Sequence, residues 1–414
     1  MKLVILAAGK GERLRPLTET RPKPLLPILG EPLICRHVKT LSNLLSPEEI
    51  IVVTSYMKDA IEKGLSSCAP ANQLKVKLID QGGELGTGHA IKTAMEYGGA
   101  GKYLIVYGDL FLSDSAYKAL ASMAPYSALV TEVKEPWNYG VARLDGDVIK
   151  EVVEKPPRDK AFSNLVYSGA LAVDYDFLKY LQDLRPSPRG ELEVTDAINA
   201  AASRLDIKAV KVSSDEWLDI GRPWEYLLAN RRALKEVKGQ VILGDVHPTA
   251  VIEGPVVISE GAEVGPFVVI EGPAFIGKGA KVGPSSHIRP ETVILENAKV
   301  GYAVEVKASI LMEEARAPHF NYVGDSIIGE DVNLGAGTIT ANLRFDHKNV
   351  KMKVKNDLVD TGLPKLGTVM GGHSQTGINV SIMPGVKIGS YAIIYPGCTV
   401  YRDVGSKEVY RCSQ

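Results

Sequence analysis

The chain has 414 residues, too many for one ordinary core, and a soft expectation of about 150 residues per domain predicts two or three. Its 48 Lys and Arg balance 49 Asp and Glu, which excludes a general polyanion binder, so nucleic acid is not expected as a partner and phosphate recognition falls to local sites. The most apolar N-terminal run, residues 3–8, is far short of a membrane span and has no signal-peptide cleavage pattern, so a cytoplasmic protein with no membrane partner is expected.

From the N-terminus, residues 3–6, 50–54, 76–79, 103–106 and 128–133 read as short strands alternating with helical stretches. Several are apolar throughout, as in a sheet buried on both faces, so an α/β domain is predicted up to about residue 238. Ligands of such sheets bind at the carboxyl ends of the strands, where the polar motifs fall here. The first strand runs into Leu6-Ala7-Ala8-Gly9-Lys10-Gly11-Glu12-Arg13-Leu14, and Arg21-Pro22-Lys23-Pro24 follows. Gly9 and Gly11 would let backbone amides approach phosphate oxygens, and Arg13 and Lys23 would neutralise a polyphosphate. The stretch is not a dinucleotide fingerprint, because Leu14 stands where the third glycine belongs, nor does it end as a P-loop does. Four cysteines, Cys35, Cys68, Cys398 and Cys412, form no CxxC pair and are expected as buried or inert thiols.

Beyond residue 238 the pattern changes. An aliphatic residue returns at every sixth position from Val246 through Ile252, Ile258, Val264 and onward to Val300 and Val306. A helical period of 3.6 would scatter these side chains, whereas six residues fit one strand and turn of a coil of about 18 residues with its stations inward. A parallel β-helix of hexapeptide repeats is therefore predicted, with small residues such as Gly254, Gly261 and Gly265 at its tight turns. The register reappears at Ile382, Ile388, Ile394 and Val400, which predicts an interruption between about 308 and 368.

The N-terminal motifs, in order, resemble those of sugar-1-phosphate nucleotidylyltransferases: the 6–14 stretch with Lys23-Pro24, the glycine-rich loop Gln81 to His89, Tyr107-Gly108-Asp109, Trp137 to Gly140, Glu154-Lys155-Pro156, Gly190 to Asp196, and Trp217 to Gly221. The resemblance implies that Leu6, Ala8, Gly9, Gly11, Gln81, Gly86 and Thr87 bind the nucleotide, Gln81 and the glycine backbone reading its base. It implies that Arg13 and Lys23 act on the triphosphate, that Gly140, Glu154, Lys155 and Gly169 hold the sugar phosphate, and that Asp109 and Asp219 bind Mg²⁺. Those residue types suit the reaction. A sugar phosphate oxygen displaces pyrophosphate from the α-phosphorus, which needs in-line positioning and charge neutralisation rather than a covalent partner. Uridylyltransferases acting on N-acetylglucosamine 1-phosphate carry asparagine shortly before the glycine matching Gly169, whereas this chain has Tyr167-Ser168.

The interruption contains His319-Phe320-Asn321-Tyr322-Val323-Gly324-Asp325, then Gly335 to Asn342, then Lys348, Lys351, Lys353 and Lys355. These, with Arg289 after Ile288 and Lys307 after Val306, resemble the acetyltransferase half of bacterial enzymes that acetylate glucosamine 1-phosphate and then uridylylate the product. Transfer to an amine needs a free lone pair, so a base with a pKa near ~6.5 suits it, and His319 is the candidate. By the same resemblance, Arg289, Lys307, Tyr322 and Asn342 bind the acceptor, and Ala336, Lys348 and Lys351 meet acetyl-CoA; Lys353 and Lys355 read as a solvated face.

The N-terminal half resembles thymidylyltransferases and the C-terminal half the bacterial uridylyltransferase/acetyltransferase, a mixture found in archaeal bifunctional sugar-1-phosphate enzymes. The resemblance implies a Rossmann-like mixed α/β sheet over 1–238 and a left-handed parallel β-helix over 239–414, assembled as a homotrimer. The implied substrates are UTP or dTTP, glucosamine 1-phosphate or its galactosamine epimer, and N-acetylglucosamine 1-phosphate, with acetyl-CoA as co-substrate. Two alternatives stay open. One is a glucose- or mannose-1-phosphate nucleotidylyltransferase whose coil only oligomerises or regulates, which His319, Tyr322 and Asn342 argue against; the other is a non-catalytic scaffold resembling exchange factors, which a complete set of Arg13, Lys23, Asp109 and Asp219 argues against.

Overall fold

The computed structural model describes residues 1–68, 75–83 and 85–412. They form two compact units: Met1–Lys10 with Pro22–Leu26 and Glu31–Asp219, and Gly11–Arg21 with Pro27–Gly30 and Ile220–Gln414.

Nine strands make the main sheet of the first unit among the described residues: β1 (Lys2–Ala7), β2 (Glu49–Thr54), β3 (Val76–Asp80), β4 (Lys102–Tyr107), β5 (Ser127–Glu132), β6 (Gly140–Asp145), β7 (Val148–Glu154), β8 (Leu165–Asp174) and β9 (Ile207–Lys211). Their order is β3-β2-β1-β4-β8-β5-β9-β7-β6. The first four are mutually parallel and β8 runs antiparallel to β4 and β5, so the sheet is mixed. The helices are α1 (Leu33–Leu45), α2 (Lys58–Ser66), α3 (Thr87–Gly98), α4 (Asp114–Ala121), α5 (Leu178–Gln182) and α6 (Val194–Ala202).

Alternation of side chains along a strand explains why β1 and β2 are apolar without a break. Val4, Ile51 and Val53 join Ala90, Ile91 and Ala94 of α3 in one core. Leu3, Ile5, Ile50 and Val52 join Ile34 and Val38 of α1 and Tyr117 of α4 in the other. All five predicted strands are present within a residue or two, and β6 to β9 add the antiparallel part.

In the second unit, three parallel faces stack around an interior of aliphatic side chains. Val246 pairs with Val264, Val264 with Val282 and Val282 with Val300; Ile252, Ile270, Ile288 and Val306 do the same on the next face, as do Ile258, Ile276 and Ile294 on the third. The 18-residue rung is thus direct backbone pairing. Each paired residue from Ile258 onward is buried. With its rungs of hexapeptide repeats, the unit is a left-handed parallel β-helix.

Two expectations need correction. The coil does not stop at residue 308: Val306 pairs with Val323, Ile294 with Leu311 and Leu311 with Ile328, so the stack continues into the expected gap. These steps span 17 residues rather than 18, which erases the six-residue register from the sequence while leaving the stack intact. Two later stations are threonines, Thr340 and Thr376, which satisfy their hydroxyls internally, Thr340 Oγ1 accepting from Gly324 N at 2.9 Å and Thr376 Oγ1 from Gly335 N at 2.9 Å. Only the stretch 343–366, with its hairpin Lys351–Val354 and Asp357–Asp360, leaves the coil before Ile328 meets Met370 on the next rung.

The cysteines are the second correction. Cys35 is bonded to Cys68 and Cys398 to Cys412, each pair with Cα atoms 5.4 Å apart. Packing of α1 against α2 joins residues 33 positions apart, a proximity that local spacing does not reveal.

Helix α7 (Pro223–Lys235) packs within the second unit. Its Asn230 Oδ1 accepts from Leu29 N at 3.0 Å, and Tyr226 donates to the Pro27 carbonyl at 2.8 Å. Among the described residues, no helix is long and apolar enough to cross a membrane.

Candidate active sites

The first unit gathers charge at the carboxyl end of β4. Asp109 follows that strand and Gly108, whose amide donates to the Leu6 carbonyl at 2.8 Å. A short ribbon, Leu110–Leu112 with Trp217–Asp219, pairs Leu110 with Asp219 and so carries the second carboxylate to the first. The Trp217 indole donates to the Ser168 carbonyl at 2.8 Å, fixing the ribbon to β8. Lys23, buried at the head of a tight turn, pairs with Asp109 and lies 3.3 Å from Asp219 Oδ1. Among the described residues, the other Asp109 oxygen, Oδ1, is buried without a hydrogen-bond partner. Two carboxylates, one with an unspent buried oxygen, suit a hard divalent cation that takes its remaining ligands from phosphate and water.

The glycine-rich loop precedes α3, with Glu84 outside the described residues. Gln81 is buried and its Nε2 donates to the Gly83 carbonyl at 2.5 Å, while among the described residues its Oε1 has no hydrogen-bond partner. Gly86 has φ +94°, and a Cβ there would lie 2.7 Å from the Leu192 amide nitrogen. That closeness lets Gly88 N donate to the Leu192 carbonyl at 2.8 Å and Val194 N to Thr87 Oγ1 at 3.2 Å, joining the base-side loop to the segment before α6.

Elsewhere in the sheet, β6 and β7 pair Gly140 with Glu154. Glu154 is 3.6 Å from Lys155 Nζ and 3.4 Å from Arg189, which also holds Glu193 at 2.6 Å. Burial raises the Glu154 pKa, opposed by Lys155, reinforced by Glu193 and opposed by Arg189. Gly169, at φ +76°, lies where the β8–β5 register shifts, and a Cβ would meet the Tyr107 ring at 2.8 Å. Leu6, Ala8 and Gly9 lie at the end of β1 in this unit, whereas Gly11 and Arg13 lie on Gly11–Arg21 in the second. Leu14, in the missing glycine's place, is fully buried, which accounts for the departure from the dinucleotide pattern.

The coil brings together most of the second predicted set. Glu305 pairs in register with Tyr322 on the next rung and holds Arg289 at 2.8 Å. Lys307 Nζ and Asn342 Nδ2 both reach Asp325 Oδ2, at 2.9 and 2.6 Å, and Asn342 donates to the Tyr322 hydroxyl at 3.3 Å. Burial first, then Glu305, raises the Tyr322 phenol above its ordinary range. Gly324 leaves the space between them: a Cβ there would be 2.6 Å from the Tyr322 hydroxyl and 2.8 Å from Asn342 Nδ2. Ala336 accepts from Asn379 N at 2.8 Å on the next rung, and Lys348 and Lys351 are exposed on the inserted arm.

His319 stands apart. It is exposed at the end of Arg316–His319, its amide donating to Asn321 Oδ1 at 3.1 Å, and among the described residues its ring has no hydrogen bond to Tyr322 or Asn342.

Two residues without a role in the sequence reading complete the cluster. Asp325 holds Lys307 and Asn342 through one oxygen and Arg231 of α7 through the other, at 3.0 Å; Arg231 also lies 3.3 Å from Glu291. The signal for Asp325 was present in the Gly324-Asp325 motif, but nothing local announces Arg231, 94 positions away. Asp325→Asn keeps the shape while leaving two cations without the carboxylate they share. It is expected to lower acetyl-transfer kcat/KM for the amino-sugar phosphate by roughly tenfold or more, with nucleotidyl transfer within about twofold. Steady-state kinetics on the full chain checks this, and an unaltered acetyl-transfer kcat/KM would remove Asp325 from the site.

A mixed α/β sheet presenting a lysine and two carboxylates at its strand ends, followed by a hexapeptide coil with its own polar cluster, defines a nucleotidylyltransferase joined to a hexapeptide transferase. Accordingly, residues 2–236 match the family described as Nucleotidyl transferase, residues 270–362 the GMPPB C-terminal domain, and residues 367–402 the bacterial transferase hexapeptide (six repeats). The chain is 43% identical over 414 residues to the bifunctional sugar-1-phosphate nucleotidylyltransferase/acetyltransferase of Sulfurisphaera tokodaii, covering 99% of this chain and 100% of that one. It is 44% identical over 407 residues to the bifunctional protein GlmU of Methanocaldococcus jannaschii, covering 98% and 96% of the two chains. A solved UDP-glucose pyrophosphorylase in complex with UDP-glucose is similar in fold, with a TM-score of 0.51 at 28% identity over 57% of this chain and 98% of that one. The chain belongs to the family of bifunctional sugar-1-phosphate nucleotidylyltransferase/acetyltransferases.

Proposed function

We propose that this chain acetylates glucosamine 1-phosphate with acetyl-CoA and then transfers UMP or dTMP to the N-acetylated product, the two reactions using residues 239–414 and 1–238. The observation that carries the reading is that Lys307 and Asn342 meet on Asp325 while Asn342 also reaches the Tyr322 hydroxyl, because a coil that only oligomerises needs no such cluster. The match of residues 270–362 to the GMPPB C-terminal domain favours the oligomerising alternative, but those residues include His319 and the whole cluster except Arg231.

In acetyl transfer, the acceptor nitrogen attacks the thioester carbon, a C–N bond forms, the C–S bond breaks, and the nitrogen's proton passes to His319 as the thiolate leaves. Arg289 and Lys307 bind the 1-phosphate, and Tyr322 and Asn342 donate to the acceptor or the tetrahedral intermediate. Ala336, Lys348 and Lys351 meet the coenzyme. In nucleotidyl transfer, Gln81, Gly86 and Thr87 hold the base, and Leu6, Ala8, Gly9 and Gly11 the rest of the nucleotide. Gly140, Glu154, Lys155 and Gly169 orient the sugar phosphate, whose oxygen displaces pyrophosphate while Arg13 and Lys23 neutralise it. Asp109 and Asp219 would hold Mg²⁺, which when bound neutralises charge on the phosphates.

The coil also supports a homotrimer, since Phe267, Tyr302, Phe320, Ile378 and Tyr391 point large apolar surface outward. Sedimentation of the full chain is expected at three chain masses; a monomer across micromolar concentrations would contradict the assembly. The proposed location is the cytoplasm.

The test of the acetyl half omits nucleotide. Thiol release from acetyl-CoA is expected with glucosamine 1-phosphate and not with mannose 1-phosphate. No release with either amino-sugar epimer would leave the coil an oligomerising device.

A further inference from the structure

The segment Gly11–Arg21, which carries Arg13, is fastened to one corner of the coil on successive rungs. Arg21 donates two parallel hydrogen bonds to Glu313, at 3.1 and 3.0 Å, and lies 3.4 Å from Glu330. Thr20 donates to Glu330 as well. On a further rung, Ser390 donates its amide to Glu19 at 2.8 Å and its hydroxyl to the Pro16 carbonyl at 3.4 Å, and Lys355 of the inserted arm reaches Glu12 at 2.9 Å. Glu313, Glu330 and Ser390 mark one corner because Asp331 N donates to the Glu313 carbonyl and His373 N to that of Glu330, while Tyr391, beside Ser390, donates to Gly372.

Exposed ion pairs contribute little, and Lys355–Glu12 is one, with its side chains 57% and 42% exposed. Arg21 and Glu330 differ, at 17% and 13%. A bidentate guanidinium shared by two half-buried carboxylates is geometrically specific, and removing it leaves like charges facing each other. Fixing a loop costs backbone entropy, so a segment already ordered on the coil need not be ordered by the nucleotide. In sequence, the segment follows β1 after Ala8, Gly9 and Lys10 and precedes Pro22 and Lys23.

We propose that the coil serves nucleotidyl transfer as well as acetyl transfer: Arg21, Glu313, Glu330 and Ser390 are positioning residues that hold Gly11 and Arg13 in the conformation that receives the triphosphate. The inference rests on the reading of Arg13 as a triphosphate ligand. A misplacement of about 1 Å in such a group is enough to cost on the order of 100-fold in rate.

The experiment uses the full chain, with both transfers measured on each preparation. Arg21→Gln, and Glu313→Gln with Glu330→Gln, are expected to lower nucleotidyl-transfer kcat/KM by 10- to 100-fold with a raised KM for the triphosphate, while acetyl transfer stays within twofold. The triple variant should be no worse than Arg21→Gln, because the three side chains act as one clamp. Arg13→Ala is the control and should cost about 100-fold. If the clamp variants transfer nucleotide at the parental KM and kcat while Arg13→Ala fails, the coil does not position the loop and the inference is overturned. Equal loss of both transfers would also overturn it, since the clamp would then be merely structural. Should Arg13→Ala itself retain nucleotidyl transfer, the reading of the loop fails and the inference with it.

Discussion

Replacing His319 with alanine is expected to lower acetyl transfer by roughly 100-fold or more, the scale of a positioned general base, and to leave nucleotidyl transfer within about twofold. His319 is exposed at the end of its strand, three residues before Tyr322. Raising the pH should partly rescue the variant, because more of the substrate amine is then already deprotonated. A variant that acetylates at the parental rate from pH 6 to 9 would make His319 an ordinary surface residue.

The second large effect lies in the other reaction. Asp109→Asn and Asp219→Asn are each expected to suppress nucleotidyl transfer by at least ~100-fold while acetylation survives, because each would remove a carboxylate charge from the proposed Mg²⁺ site. The amide at position 109 would also end the ion pair with Lys23. Titration with Mg²⁺ checks the assignment: near-normal transfer by either variant at saturating metal would show that the cation is held elsewhere.

What the sequence made legible follows from which interactions are periodic or local. The inward stations from Val246 to Val306 were readable because one aliphatic side chain per face is buried on every rung. From Val306 the next steps shorten to Leu311 and, after Val323, to Ile328, and two stations become threonine, so continued packing no longer has an even aliphatic signature. Glycine marked some corners, Gly254 and Gly261 lying at φ +73° and +71°, but not all of them. Glu291, Phe320 and Asp325 adopt positive φ there, at +66°, +51° and +47°. Each donates an amide hydrogen bond to a carbonyl of the rung before, Glu291 to Pro273 at 2.7 Å, Phe320 to Tyr302 at 3.1 Å and Asp325 to Lys307 at 2.9 Å. Stacking thus supports a conformation that an isolated turn would assign to glycine.

Within the candidate sites, residues in short motifs at strand ends were readable: Asp109 and Asp219 meet at Lys23, and Lys307, Tyr322 and Asn342 meet around Asp325. Partners supplied from distant segments were not. Arg231, the Arg21 clamp and both disulfides depend on how helices and loops pack, and no local pattern encodes those distances.

The central claim, that one chain performs both transfers, is tested most directly by giving the purified protein glucosamine 1-phosphate, acetyl-CoA, UTP and Mg²⁺ together and identifying every product by mass. The expected result is free coenzyme A, pyrophosphate and a uridine-diphosphate-linked N-acetylhexosamine, with the Asp109→Asn protein stopping at the N-acetylated sugar 1-phosphate. Recovery of only unacetylated nucleotide sugar, with acetyl-CoA intact, would contradict the account.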